Sequence, residues 1–233
     1  EIRKLILDEA ITFETPLEQN QIQPSSIDLR LSSKAWRMRA SFLPGKIQKV
    51  GTWIDQLAMQ EIDLSQGYIL EKGSVYLVQL QEKLKLPEHV EALANAKSST
   101  GRLDLFTRLI IDHGTEFDRV NAGYSGPLYA EIAPNSFSVL AKRGITLNQI
   151  RFKTHDNFKA QDREEAQKVK RINERTVNNL TPAQTFSINL KNRYSNVVGY
   201  RAKPHTDLID LQKTNFYEKE DFWEPVTTKF NKI

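Results

Sequence analysis

From residue 27 to residue 152 the chain is a succession of short β-rich runs punctuated by Gly, Pro and Asn. In residues 27–31, Ile27, Leu29 and Leu31 alternate with Asp28 and Arg30, the period of two that a strand requires. Similar short runs occupy 69–70, 75–80, 84–86, 90–94, 105–111, 126–132, 137–140 and 145–152, with Gly67, Gly73 and Pro87 among the residues that separate them. Strands this short, joined by turns this close, pack as a sandwich or jelly roll. The fold class is therefore an all-β core with a few short helices. One helix is expected at the start, where Ile2, Leu5, Ile6, Glu9 and Ala10 lie near helical spacing, and a helical insertion is expected over residues 53–61.

The pattern changes after Phe152. Residues 159–175 are dense in charges of both signs and hold neither Gly nor Pro. A first domain over 1–153 and a charged helical linker over 154–192 follow from this. Apolar patterning returns at 186–190 and 197–202. Ile209, Phe216, Tyr217, Phe222 and Trp223 then need a surface to pack against. Residues 193–233 are accordingly expected to begin a second domain or to form a docking arm.

Composition narrows the chemistry. With no cysteine in 233 residues there is no disulfide, no thiol nucleophile and no Cys-containing zinc site. The four histidines, His89, His113, His155 and His205, have no ligand spacing. The small net charge of +4 suits an anionic small ligand or a merely basic surface, and does not point to nucleic acid. No apolar run is long enough to span a bilayer and no secretory signal pattern is present, so a cytoplasmic location is expected.

Four segments carry candidate chemistry. In residues 97–102, Lys97, Ser98, Ser99, Thr100, Gly101 and Arg102 crowd cations, hydroxyls and a permissive glycine into one turn between strands. Such a turn can hold phosphate through charge-assisted bonds, or can be a solvated polar turn. Residues 123–131 read Gly-Tyr-Ser-Gly-Pro-Leu-Tyr-Ala-Glu, with Asp118 shortly before them. Glu131 ends a run of small and apolar residues. On a wet face it is an ordinary strand glutamate; facing a pocket it is a candidate general base. Gln23-Pro24-Ser25-Ser26-Ile27-Asp28-Leu29-Arg30-Leu31 and Gly144-Ile145-Thr146-Leu147-Asn148-Gln149-Ile150 complete the set.

Together these segments resemble the dCTP deaminase family, related in fold to the trimeric dUTPases, over residues 20–153. The stretches 200–206 and 221–225 are similar to the opening of the second domain in the family's tandem-domain variant. The resemblance implies a dUTPase-like distorted jelly roll, or β-clip. It implies hydrolytic deamination of dCTP to dUTP and ammonia, feeding thymidylate synthesis. Glu131 is then the general base. Ser98 and Arg102 orient the glutamate, the water and the triphosphate. Lys97, Ser99, Thr100 and Gly101 hold phosphates. Asp118 lies at the deoxyribose 3′-hydroxyl, Tyr129 and Ala130 line the base with main-chain groups, and Gln149 sits near the nucleotide. The implied ligands are dCTP and dUTP, with dTTP as an effector, in a homotrimer or tandem-domain assembly. Glu116 stands where the family carries a basic residue, and extra residues surround 113–121.

Zinc deaminases activate water with a His/Cys ligand set, and this chain has no cysteine to build one. No metal is expected at the base. Magnesium is expected only on the triphosphate, from phosphate chemistry. A dUTPase-like or bifunctional dCTP-to-dUMP enzyme, with Asp118 orienting water at phosphorus, is the alternative. A catalytically silent nucleotide-binding homologue is the third reading.

Overall fold

A computed structural model of the chain describes residues 2–154 and 196–227. In order along the chain the elements are α1 (Ile2–Leu7), β1 (Ile11–Phe13), β2 (Ile27–Met38), α2 (Val50–Leu57), β3 (Ala58–Asp63), β4 (Tyr68–Leu70), β5 (Val75–Lys85), β6 (Val90–Ala96), α3 (Ser98–Arg102), β7 (Leu105–Ile111), β8 (Arg119–Val120), β9 (Ser125–Pro134), β10 (Val139–Ala141), β11 (Thr146–Thr154), β12 (Val197–Ala202), β13 (Ile209–Asp210), α4 (Lys219–Phe222) and β14 (Trp223–Thr227). The all-β core with few short helices is as expected.

Nine strands form one sheet, in the order β7-β9-β5-β2-β11-β6-β8, with β1 added to β5 and β3 to β2. The sheet curls until β7 lies beside β6 and β8, so it is nearly closed. Asp118 sits at this seam with φ +62°. Its N–H donates to Leu109 O (3.0 Å), its C=O accepts from Ala94 N–H (2.7 Å), and its carboxylate accepts from Leu109 N–H (2.7 Å). One residue thus ties β7 to β6 where no ladder joins them. A second sheet has the order β13-β10-β4, and β12 pairs with β14 in a third.

The core explains why several strands exceed their sequence signals. In β2 both faces are buried over its first half, although Asp28 and Arg30 are charged. Arg30 is accommodated by Glu82, itself fully buried on β5: Nε donates to Glu82 Oε1 (3.0 Å), and the Arg30 N–H to Oε2 (2.8 Å). Its remaining donors reach Pro16 O (2.8 Å) and Thr15 O (3.0 Å). Gln21 Nε2 closes the network on Glu82 Oε1 (2.7 Å). Burial pushes the Glu82 carboxyl above its usual value, against the pull of Arg30. The same network lets β5 run unbroken through Gln81 and Glu82, joining two runs that the sequence separates.

The helical insertion expected over residues 53–61 is only half helical. α2 ends at Leu57, and Ala58 to Asp63 join β2 as β3. The apolar side of α2, at Val50, Trp53, Ile54 and Leu57, packs on the core. The backbone beyond finds its partners at the free edge of β2.

Among the described residues, 2–154 and 208–216 form one compact unit, and 196–207 with 217–227 form another. The expected linker over 154–192 lies outside the described residues, apart from Thr154, which ends β11. Residues 209–210 do not begin a separate body: Ile209 pairs with Val139 in parallel, adding β13 to β10. In the second cluster β12 and β14 pair in antiparallel register, with Arg201 Nε bonded to Glu224 Oε1 (2.7 Å). No helix among the described residues is long and apolar enough to cross a membrane.

Candidate active site

The sequence-selected residues fall at two places on the barrel. The first is the corner around β11. Residues 98–102 form the single turn of α3, whose buried Thr100 donates to Leu147 O (2.9 Å). That bond, with Lys97 N–H to the same oxygen (2.9 Å), fastens the turn to β11. Ser98, Ser99, Gly101 and Arg102 are left exposed. The side chains of Ser98, Ser99 and Arg102 make no hydrogen bond or ion pair with any described residue, so their donors are available to an anion. Lys97 is not free: its Nζ pairs with the Asp28 carboxylate and donates to Thr146 Oγ1 (2.9 Å). Gln149 joins this corner, accepting from Ser26 Oγ at 2.7 Å. The Ser26-x-Asp28 stretch is thus the wall against which Lys97 and Gln149 are set.

The second place is the middle of β9. Glu131 lies between Leu77 on β5 and Arg108 on β7, with only 2% of its surface exposed. The wet-face alternative is ruled out. Arg108 Nε donates to Glu131 Oε1 (3.1 Å), and Nη2 pairs with the same oxygen. Nη2 also reaches Ser41 Oγ (3.0 Å). Glu131 Oε2 is buried and has no partner among the described residues. The guanidinium lies 3.6 Å from the Phe117 ring centroid and 4.6 Å from that of Phe106. Beside the pair is an apolar cluster of Met38, Phe42, Val50, Leu77, Ile110 and Tyr129, in which Phe42 stacks on Trp53 at 5.7 Å.

Tyr129 is buried in this cluster, and burial raises its hydroxyl pKa. Its main chain and that of Ala130 lie in the ladder between β5 and β7. Asp118 is at the seam described above; Oδ1 serves Leu109, and burial pushes the carboxyl up despite the Leu109 N–H and nearby Arg108. No hydrogen bond or ion pair among the described residues joins Glu131 to Ser98 or Arg102.

The glycines before Glu131 have a geometric cause. Gly123 adopts φ +73°, and a Cβ there would sit 2.7 Å from Glu88 Oε1. A Cβ on Gly126 would sit 2.6 Å from the Tyr124 hydroxyl, which folds back to donate to Pro127 O (2.6 Å). The motif therefore sets the start of β9 and, through it, the register that places Glu131 opposite Arg108.

Sequence reasoning missed Arg108, Phe106 and Phe117. The available signal was the lone charge of Arg108 in the otherwise uncharged run Leu105–Ile111, which needed a buried counter-charge.

Residues 1–156 match the family profile of the 2′-deoxycytidine 5′-triphosphate deaminase N-terminal domain, and residues 157–233 that of its C-terminal domain. A dCTP deaminase from Acidianus ambivalens is 30% identical over 141 residues, which are 60% of this chain and 74% of that protein. A dUMP-forming dCTP deaminase from Sulfurihydrogenibium sp. is 32% identical over 157 residues, covering 65% of this chain and 79% of its own. The crystal structure of the 2′-deoxycytidine 5′-triphosphate deaminase from Agrobacterium tumefaciens superposes with a TM-score of 0.82 at 42% identity, over 98% of this chain and 69% of that one. With a barrel of matching fold and both family domains present in sequence, the chain belongs to the dCTP deaminase family.

Proposed function

We propose that this protein catalyses the hydrolytic deamination of dCTP to dUTP and ammonia, with Glu131 as general base. The observation that carries this reading is Glu131 itself: a buried carboxylate with one oxygen held by Arg108 and the other without a partner among the described residues. Glu131 takes a proton from water as the water oxygen bonds to ring carbon C4. The C4–N3 double-bond pair moves onto N3, which receives that proton from Glu131. The remaining hydroxyl proton passes to the exocyclic amine, the C4–N bond breaks, and ammonia leaves as the C4 carbonyl forms. The exposed Ser98, Ser99 and Arg102 are the anion-facing donors, and a neighbouring domain or subunit is the means of bringing them to a Glu131 site. A homotrimer is the proposed assembly. Among the described residues no three His, Asp or Glu side chains are placed to hold a metal ion. From phosphate chemistry, magnesium would be bound through triphosphate oxygens, and no step is assigned to it.

The second reading is onward hydrolysis to dUMP, favoured by the dUMP-forming activity in the name of the Sulfurihydrogenibium relative. It would use Asp118 at the phosphates, and Oδ1 of that residue is already committed to Leu109 N–H. Product analysis with dCTP separates the two: ammonia with dUTP for the first, ammonia with dUMP and pyrophosphate for the second. Glu131→Gln should keep nucleotide binding within about tenfold while turnover falls about 10²-fold or more, ~2.7 kcal/mol of transition-state stabilisation. Undiminished ammonia release by Glu131→Gln would refute the mechanism.

A further inference from the structure

We propose that Arg108 is a positioning residue for Glu131, holding Oε1 so that Oε2 alone faces the reacting water. The inference rests on the deaminase reading above. Arginine and carboxylate ordinarily meet fork to fork, each oxygen receiving its own N–H. Here both Nε and Nη2 address Oε1. The Oε2 atom is buried without a donor among the described residues, an arrangement a purely structural ion pair has no reason to keep.

The one-sided geometry is enforced by what surrounds the guanidinium. Ser41 Oγ takes Nη2 from one side, while the rings of Phe117 and Phe106 lie against it. Turning the plane to share both carboxylate oxygens would break those contacts. Phe117 belongs to the extra segment around residues 113–121, and its ring gives that segment a role by holding the arginine in the one-oxygen pose. Glu131 is then fixed in rotation with one acceptor free. A general base needs that for its proton transfer to be directional.

The test measures ammonia release and dCTP binding by the full-length protein and by Arg108→Met, Arg108→Lys, Glu131→Gln and the Arg108→Met/Glu131→Gln double variant. Arg108→Met should lower kcat about 30-fold with KM within about 3-fold, because the lost contact orients the base and does not bind the nucleotide. Arg108→Lys keeps the charge but gives one point of contact where the fork gives two, so kcat should fall about 3- to 10-fold at unchanged KM. In the Glu131→Gln background, adding Arg108→Met should change the residual rate by less than about 2-fold, since the two residues act as one unit. The double variant and Arg108→Lys leave no buried carboxylate without a counter-charge, so the test stands even if Arg108→Met does not fold. Additive losses in the cycle, a raised KM with kcat intact, or a wild-type-like Arg108→Lys would overturn the positioning role while leaving the deaminase reading in place. A wild-type protein that releases no ammonia, or a Glu131→Gln variant as active as wild type, would overturn both.

Discussion

At the scale of single residues, Asp118 shows how one side chain can belong to the fold as much as to the chemistry. Its φ of +62° is a conformation that Asn tolerates best among residues with a side chain. Its carboxylate accepts the Leu109 N–H at the barrel seam. Asp118→Ala leaves that buried donor unmatched and should cost about 1–3 kcal/mol. Asp118→Asn keeps an acceptor oxygen and should hold the seam. Burial raises the Asp118 carboxyl above its ordinary value of 3.8, so the folded protein holds that proton more tightly than the unfolded chain does. The contribution to stability is therefore fully present below that ordinary value and is lost as pH rises through the folded one. Urea titrations at about pH 4 and about pH 7 check this linkage: wild type should lose stability relative to Asp118→Asn between the two, and a constant difference would contradict it.

At the scale of elements, the Arg30–Glu82 pair and the α3 turn behave oppositely. The pair joins β2 to β5 inside the barrel, with Gln21 and the Thr15 and Pro16 carbonyls completing its bonds. Arg30→Met strands the Glu82 carboxylate and should cost about 3–5 kcal/mol, read as a lower denaturant midpoint. Replacing Glu82 by Leu in the same chain should recover much of it, because the loss is the uncompensated charge. The α3 turn is held by Thr100 and the Lys97 N–H, while Arg102 stands exposed. Arg102→Ala should leave stability within about 0.5 kcal/mol yet weaken triphosphate binding and turnover together. Calorimetric titration with dCTP separates the two effects, and wild-type affinity in this variant would remove the turn from the site.

At the scale of the molecule, the two candidate places carry complementary chemistry and, among the described residues, no mutual bond. The β11 corner offers free anion donors; the β9 centre offers the base. If a neighbouring subunit or domain unites them, turnover should track assembly. Sedimentation of the protein across the range in which specific activity is measured should show the active species larger than one chain. A fully active monomer would contradict the shared-site reading.

Much of this was legible without coordinates. The turn-punctuated alternation of residues 27–152 reports an all-β core because strand period and turn chemistry are local properties. The 97–102 and 123–131 motifs were visible because their residue types serve local geometry, as the crowding of Tyr124 on Gly126 illustrates. Two details of extent were not legible. Ala58 to Asp63 became a strand only because β2 offered an edge, and β5 runs unbroken only because Arg30 neutralises Glu82. Whether Glu131 faced water or the interior, and which cation it met, depended on the register of β9 against β7. Alternation along one strand specifies two faces; only pairing across strands decides which is buried and what lies opposite.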